Sequence, residues 1–148
     1  MIITFCGHRD SILSAEEERL LGEWLRQYLE ECPNATFYLG DYGNFDKKCN
    51  AILRKLQKYY SKIKRVFVTP YLSPDYGRLK TAKEDYDEIL YPFEDRVMPR
   101  YAIRIRNEWM VDRADVIVAC VNRNWGGAYA TYAYAMRRGK PIRNIRAI

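Results

Sequence analysis

The sequence lacks the two common phosphate-binding signatures of α/β proteins. Neither GxGxxG nor GxxxxGK[ST] occurs in its 148 residues. These motifs mark dinucleotide-binding dehydrogenases and P-loop NTPases, so ordinary members of both classes are excluded. No apolar run reaches the roughly 20 residues that a membrane helix needs, and no basic segment followed by a long apolar stretch opens the chain. These absences predict a soluble, cytoplasmic protein that does not interact with membranes.

Cysteine and histidine are also scarce, with four cysteines and one histidine. Cys6, Cys32, Cys49 and Cys120 show no CxxC spacing, so the sequence predicts reduced thiols, no metal site and no cofactor. Cys6 stands two residues from His8, the arrangement of a thiol nucleophile with a base. Because a cysteine at the end of a buried strand usually packs as a small hydrophobic residue, we do not favour that role.

The remaining composition is that of an ordinary globular chain, with 48% hydrophobic and 30% charged residues. The length predicts one domain spanning residues 1–148. The net charge of +6 is unevenly distributed, because glutamates cluster near residues 16–31 and arginines cluster after residue 95. An excess of positive charge predicts an anionic partner, either a nucleotide or a nucleic acid.

Short apolar runs alternate with amphipathic helical patterns along the chain. The strand-like runs are 2–5, 36–39, 65–69 and 116–121, with shorter ones near 88–91 and 142–145. The helical patterns begin after a Ser14 and Glu17 capping box, at Asp46 as a cap, at Pro99 and at Gly127. This alternation predicts a Rossmann-like, three-layer α/β sandwich with a mostly parallel central sheet. Residues 70–99 are predicted to be irregular and to form a functional loop or lid.

Glycine-bearing turns follow two of the predicted strands. Gly7 comes directly after the first strand, and Gly126 and Gly127 separate the most apolar strand from the last helix. Glycine lets the backbone turn tightly at such a point, and the start of a helix offers free N–H groups to an anion. We therefore expect both turns to line one phosphate-binding crevice at the carboxyl ends of parallel strands.

Other candidate ligand-binding residues surround these turns. His8 and Arg9 follow Gly7, and Ala128 follows Gly127. Arg9 can offer a bidentate fork to phosphate and His8 either a neutral donor or a titrating group, whereas the simpler alternative pairs Arg9 with Asp10.

Arg106 and Asn107 lie on the third predicted helix, whose apolar positions are Tyr101, Ile105, Trp109 and Met110. One edge of this helix can face the crevice, although the pattern alone favours a solvated charged side. On the last helix, Tyr129, Tyr132 and Tyr134 offer either a surface for stacking a base or core packing, and core packing is favoured.

Several motifs in order resemble the SLOG superfamily, in particular its small bacterial branch with a CGHR motif. The matching segments are 5–9 (FCGHR), 86–92, 106–115, 125–128 (WGGA) and 138–142. The superfamily also holds the Lonely Guy phosphoribohydrolases and DNA-processing protein A. The resemblance implies a Rossmann-like fold, a nucleotide-derived ligand at both glycine turns, and a homodimer.

The phosphoribohydrolases of that superfamily carry PGGxGTxxE, in which the glycines hold phosphate and the glutamate assists cleavage of the N-glycosidic bond. The corresponding segment here, 125–133 (WGGAYATYA), lacks the proline, the third glycine and the glutamate, and Thr131 is displaced by one position. The resemblance thus implies that phosphate binding is retained and that hydrolysis by this route is not expected.

Three functions follow from these observations. The first is binding or sensing of a nucleotide or nucleotide sugar, with the phosphate held at the glycine turns. The second is hydrolysis of a nucleotide N-glycosidic bond, with His8, Asp41, Asp46 or Glu108 as acid or base. The third is binding of single-stranded nucleic acid through the basic last third and the abundant tyrosines.

Overall fold

The computed structural model describes residues 1–73 and 75–147. Over these residues, strands and helices alternate strictly. The elements are β1 (Ile2–Gly7), α1 (Ala15–Glu31), β2 (Thr36–Leu39), α2 (Asn44–Leu56), β3 (Lys64–Val68), α3 (Gly77–Asp85), β4 (Glu88–Leu90), α4 (Pro99–Arg113), β5 (Val116–Cys120), α5 (Gly127–Arg137) and β6 (Ile142–Asn144). None of these helices combines the length and the hydropathy that a membrane span requires.

The six strands form one sheet in the order β4-β3-β2-β1-β5-β6, and every neighbouring pair is parallel. The predicted Rossmann-like sandwich is confirmed, with a sheet that is parallel throughout. The chain runs outward from β1 to β4 and then returns to the other side of β1, so the strand order reverses between β1 and β5. In open parallel sheets such a reversal leaves a crevice at the carboxyl ends of the two strands.

Helices cover both faces of the sheet. Leu25 of α1, Leu53 of α2 and Ala82 of α3 belong to one core, whereas Val111 of α4 and Ala135 of α5 belong to the core on the opposite face. All five residues of β5 are buried and alternate between the two cores. A strand covered on both faces needs no polar alternation, which explains its continuous apolar sequence.

Three of the four predicted helix starts are confirmed, including the start of α5 at Gly127, and one is wrong. The Ser14 hydroxyl accepts the N–H of Glu17 at 3.1 Å while the Glu17 carboxylate accepts the N–H of Ser14 at 3.0 Å, which is a complete capping box. Pro99 lies in the first turn of α4. In contrast, Asp46 does not cap α2, because the N-cap is Gly43 at φ +87° and Asp46 lies inside the first turn.

Residues 70–99 contain more regular structure than predicted. The short strand expected near 88–91 is confirmed as β4, but α3 was predicted as irregular loop. Its sequence, GRLKTAKED, has only two apolar side chains, so it shows almost no helical periodicity. Pro74, which contributed to that prediction, lies outside the described residues.

The inward face of α4 also differs from the prediction. Its buried residues are Ala102, Arg106, Met110 and Val111, whereas Tyr101 is 39% exposed. The apolar pattern predicted the wrong buried face because one of the buried residues is an arginine, Arg106.

Candidate functional site

A cleft of about 330 Å³ lies at the carboxyl ends of β1 and β5. All eight residues predicted to bind the ligand line it, namely Gly7, His8, Arg9, Arg106, Asn107, Gly126, Gly127 and Ala128. Topology explains this convergence, because Gly7 is paired with Cys120 across the β1 and β5 ladder. The loops that follow these two strands therefore leave the sheet at the same point of its edge.

The α5 end of the cleft is open and rich in free N–H groups. Gly126 is the N-cap of α5 at φ +91° and ψ 175°, and no side chain caps the helix. Apart from the adjoining backbone of the chain, no described atom lies within 4 Å of a Cβ built at Gly126 or Gly127. The first amides of a helix have no intrahelical acceptor, and those of Gly127 and Ala128 donate to no other described residue. This end of the cleft can therefore receive an anion.

Gly7 is required for packing. A Cβ at Gly7 would lie 2.5 Å from Cδ2 of Phe45, so glycine lets the start of α2 approach β1 closely. The sequence interpretation, in which this glycine lets the backbone approach a ligand, misses this reason. Gly7 still lines the cleft, but Phe45 is sufficient to explain why the residue is glycine.

His8 is buried, with 3% of its surface exposed. Its ring Nε2 accepts the N–H of Asn122 at 3.3 Å, and its own backbone N–H donates to the carbonyl of Cys120. Burial lowers the pKa of His8, and the positive charge of Arg123 lowers it further. The buried ring ties together the loops that follow β1 and β5, and its lowered pKa favours the neutral form over the positively charged one.

Arg9 is exposed at the mouth of the cleft, with its guanidinium carbon 5.5 Å from the centre of the Tyr42 ring. The alternative in which Arg9 pairs with Asp10 is wrong, because Asp10 pairs with Arg123 at 3.3 Å. Within residues 1–73 and 75–147, no carboxylate lies in ion-pair distance of Arg9. Its charge is thus available to a ligand.

Arg123 is a lining residue that the sequence interpretation missed. Its guanidinium stacks on the exposed ring of Trp125 at 4.2 Å, and its Nε is buried without an acceptor among the described residues. The available signal was its position, since Arg123 lies in the loop between β5 and the glycine pair. Arg123, which also pairs with Asp10, places a positive charge near the start of α5.

Arg106 is 1% exposed, so the solvated position favoured by the sequence pattern is wrong. Its Nη1 donates to the carbonyls of Gly40 at 3.1 Å and Val68 at 2.7 Å, and its Nε donates to Oδ1 of Asn107 at 2.9 Å. These bonds satisfy carbonyls that follow β2 or end β3. A Cβ at Gly40 would come within 2.9 Å of Nη2, so the arginine needs a glycine there.

Asp46 brings a carboxylate to the α2 end of the cleft, where it is 8% exposed. Its Oδ2 accepts the N–H of Gly40 at 3.1 Å. Burial raises the pKa of Asp46 to about 6, although the Arg106 charge and the Gly40 amide act in the opposite direction. The other carboxylates suggested from the sequence lie outside the cleft: Asp41 accepts the hydroxyl of Tyr86 at 2.8 Å, and Glu108 pairs with Arg104 at 3.5 Å.

Other suggested chemistry finds no support at the site. Tyr129, Tyr132 and Tyr134 pack against the core under α5, as the favoured interpretation predicted. Burial raises the pKa of the Cys6 thiol far above its usual range, which disfavours the nucleophilic thiolate. In the part of the chain that the structure describes, no three histidine, cysteine or acidic side chains are grouped as a metal site would require.

The fold is shared with two kinds of known protein. DNA processing protein A from Streptococcus pneumoniae superimposes with a TM-score of 0.62 at 12% identity, over 96% of this chain and 49% of that one. The same protein from Helicobacter pylori, solved to explain its single-stranded DNA binding mode, gives a TM-score of 0.64 at 12% identity, over 97% and 64%. The molybdenum cofactor carrier protein of Chlamydomonas reinhardtii gives 0.57 at 16% identity, over 97% and 75%.

The chain has a SLOG-like fold. It spans about half to two thirds of the DNA processing proteins that it matches. No protein-family model matches the sequence, and no curated protein matches it significantly. Membership of the small CGHR branch therefore stays a prediction, and the SLOG-like fold is what positions the cleft described above.

Proposed function

We propose that this chain binds a nucleotide, or a related phosphate-bearing ligand, in the cleft between the loops that follow β1 and β5. The observation that supports this most is the open start of α5, where the amides of Gly127 and Ala128 have no acceptor among the described residues. Free helix amides attract phosphate through hydrogen bonds and the helix dipole. Arg123 adds positive charge near the start of α5, and Arg9 adds positive charge at the mouth of the cleft, on the side of α2.

The position in the fold supports the same proposal. Open parallel sheets bind their ligands where the strand order reverses, and this cleft lies at the reversal between β1 and β5. The structural neighbours include a protein with a single-stranded DNA binding mode and a cofactor carrier, which fit ligand or nucleic-acid binding in general.

Binding or sensing is favoured over hydrolysis of the N-glycosidic bond. The glutamate of PGGxGTxxE is replaced by Ala133, and the hydroxyl of Thr131 donates to the carbonyl of Gly127 at 3.1 Å within its own helix. His8 is buried and its Nε2 already accepts the N–H of Asn122, so this nitrogen is not free to act on a ligand. The glycines that hold phosphate are retained.

The test measures the affinity of the protein for the four ribonucleoside 5′-monophosphates by isothermal titration calorimetry. Replacing Arg9 with alanine should weaken binding about tenfold, because one charge-assisted contact to phosphate is lost from an exposed side chain. The free energy of unfolding should not change, since the Arg9 side chain is exposed and forms no ion pair with a described carboxylate. Arg26→Ala, which removes an exposed arginine of α1, is the matched control and should bind like the wild type.

Equal affinity of wild type and Arg9→Ala would remove Arg9 from the site, and no binding of any nucleotide would contradict the proposal. Chromatography of the incubated mixtures distinguishes the hydrolase alternative, which requires free base to appear.

Single-stranded nucleic acid is the second candidate ligand. It is favoured by an exposed aromatic and basic pair at the mouth of the cleft, Trp125 with Arg123 stacked on it. Exposed aromatic rings stack on bases, and arginines neutralise phosphates. Fluorescence anisotropy with a labelled oligonucleotide should then show affinity that falls steeply with salt, because phosphate contacts release counterions. A flat salt dependence would contradict this candidate.

A further inference from the structure

We propose that Asp46 binds the ribose hydroxyls of the nucleotide, so that the cleft selects ribonucleotides against 2′-deoxyribonucleotides. This inference rests on the proposed function, because it assigns the sugar position of the same site. It concerns a residue that the phosphate-binding argument does not use.

The first support is the position of Asp46 in the cleft. The helices α2 and α5 lie on opposite faces of the sheet and start after β2 and β5, which flank β1. The cleft thus crosses the edge of the sheet, with Asp46 at one end, Gly127 at the other and the Gly7 turn between them. A nucleotide whose phosphate sits at the start of α5 extends its sugar across the end of β1, toward Asp46.

The second support is the chemistry of the cleft lining. Free helix amides, Arg9, Arg123 and the side-chain amide of Asn107 all offer donors, which suit phosphate oxygens. An ionised carboxylate only accepts, and it repels phosphate. A buried carboxylate in this lining therefore suits a ligand group that donates, and the hydroxyls of ribose are such donors.

The third support is that Asp46 is held in place with accepting capacity to spare. The N–H of Gly40 bonds to Oδ2 at 3.1 Å. Burial raises the pKa of Asp46 to about 6, whereas the charge of Arg106 and the backbone amides of Gly40 and Tyr42 favour the ionised form. A carboxylate has about four acceptor positions. The fixed orientation limits the entropy that binding would otherwise cost.

A structural role alone makes a different prediction. If Asp46 served only to balance the buried charge of Arg106, its replacement would weaken binding of both sugars by the same factor. The ratio of ribonucleotide to deoxyribonucleotide affinity separates the two roles. A change in the structure of the cleft alters both affinities by the same factor and therefore leaves the ratio unchanged.

The experiment measures dissociation constants for AMP, GMP, CMP and UMP and for their 2′-deoxy counterparts by calorimetry. The wild type should prefer the ribonucleotide about tenfold, the effect of one hydrogen bond to a charged group. In Asp46→Asn the side-chain oxygen still accepts the N–H of Gly40, but the group that replaces the second oxygen donates. The preference should fall to about twofold or less, while deoxyribonucleotide affinity stays within about twofold of the wild type.

Two controls complete the design. Asp41→Asn changes a carboxylate near the same helix start that does not line the cleft, so it should keep the tenfold preference. Arg9→Ala should weaken both sugars equally and also keep the preference.

Equal affinity of the wild type for both sugars would overturn the inference and leave the proposed function intact. Equal weakening of both sugars in Asp46→Asn would assign Asp46 a structural role and also overturn the inference. If no nucleotide binds at all, both the proposed function and this inference fail.

Discussion

The starts of α2 and α5 have nearly the same backbone but different surroundings. Gly43 caps α2 at φ +87° and ψ 178°, Gly126 caps α5 at φ +91° and ψ 175°, and neither helix has a side-chain cap. At α2 the protein fills the space: a Cβ at Gly43 would lie 2.5 Å from Cα of Arg9, and the N–H of Asn44 donates to the Arg9 carbonyl at 2.9 Å. At α5 the corresponding space is open.

The difference shows that a helix start becomes a candidate binding site through what its neighbours leave unsatisfied. At α2, Asp46 in the first turn already supplies negative charge where the helix dipole favours it. The first turn of α5 carries no acidic side chain. The start of α2 thus binds groups of the protein itself, whereas the start of α5, with the same backbone geometry, is available to a ligand.

Replacing the two capping glycines, Gly43 and Gly126, with alanine should give the largest changes in the free energy of unfolding. The difference between the two changes compares the packed helix start with the open one. Both substitutions force a side chain into a backbone region that essentially only glycine occupies, at a cost of about 1–3 kcal/mol. Gly43→Ala should cost more, about 3 kcal/mol or above, because its Cβ also overlaps the Arg9 backbone. Denaturation in guanidinium measures both free energies of unfolding.

Gly22→Ala is the control for these substitutions. Gly22 lies inside α1 and, outside the backbone of its own helix, no described atom lies within 4 Å of the added Cβ, so alanine should stabilise the protein by about 0.5–1 kcal/mol. If Gly43→Ala and Gly126→Ala lowered the free energy of unfolding equally, the start of α5 would be as tightly packed as that of α2.

The charge at the start of α2 should appear in the pH dependence of stability. The pKa of Asp46 is raised to about 6 in the folded protein, above the value near 4 of an unfolded chain. Folding therefore takes up a proton between about pH 4 and 6, and the Asp46 contribution to stability falls as the pH rises through this window. Asp46→Asn should equal the wild type below pH 4 and exceed it by about 3 kcal/mol above pH 6.

Denaturation curves from pH 3 to 8 for both proteins test this. The pKa of Glu17 is lowered to about 2 by hydrogen bonds from Arg146 and from the backbone of Ser14, so it acts in the opposite direction as the pH falls below about 4.5. Its effect is the same in both proteins and cancels in the difference. A difference that does not depend on pH would contradict the raised pKa of Asp46.

The smallest effect on stability is expected at Gly127, the residue that follows the capping glycine of α5. Gly127 has an ordinary helical backbone and empty space around a built Cβ, so Gly127→Ala should change the free energy of unfolding by less than about 1 kcal/mol. Nucleotide affinity should nevertheless fall, because the methyl group occupies the space in which phosphate meets the helix amides. Unchanged affinity in calorimetry would place the phosphate elsewhere.

The sequence predicted those features that depend on local pattern. The capping box at Ser14, the buried strand β5 and the glycine turns could all be recognised from neighbouring residues, and topology then brought the turns together. Sequence reasoning failed at α3, where apolar periodicity is almost absent, and at Arg106, where burial depends on carbonyls distant in sequence. The suggested pairing of Asp10 with Arg9 was wrong because the actual partner, Arg123, is also distant in sequence.

The sequence by itself determined the alternation of strands and helices and the places where glycine allows a sharp turn, since both depend on side chains within a few residues of each other. Only the tertiary structure decided that His8 is buried, that Arg106 bonds to the ends of two strands, and that Asp46 faces the same cleft as Gly127. These properties arise from groups between 6 and 114 positions apart, which meet only when the sheet is assembled.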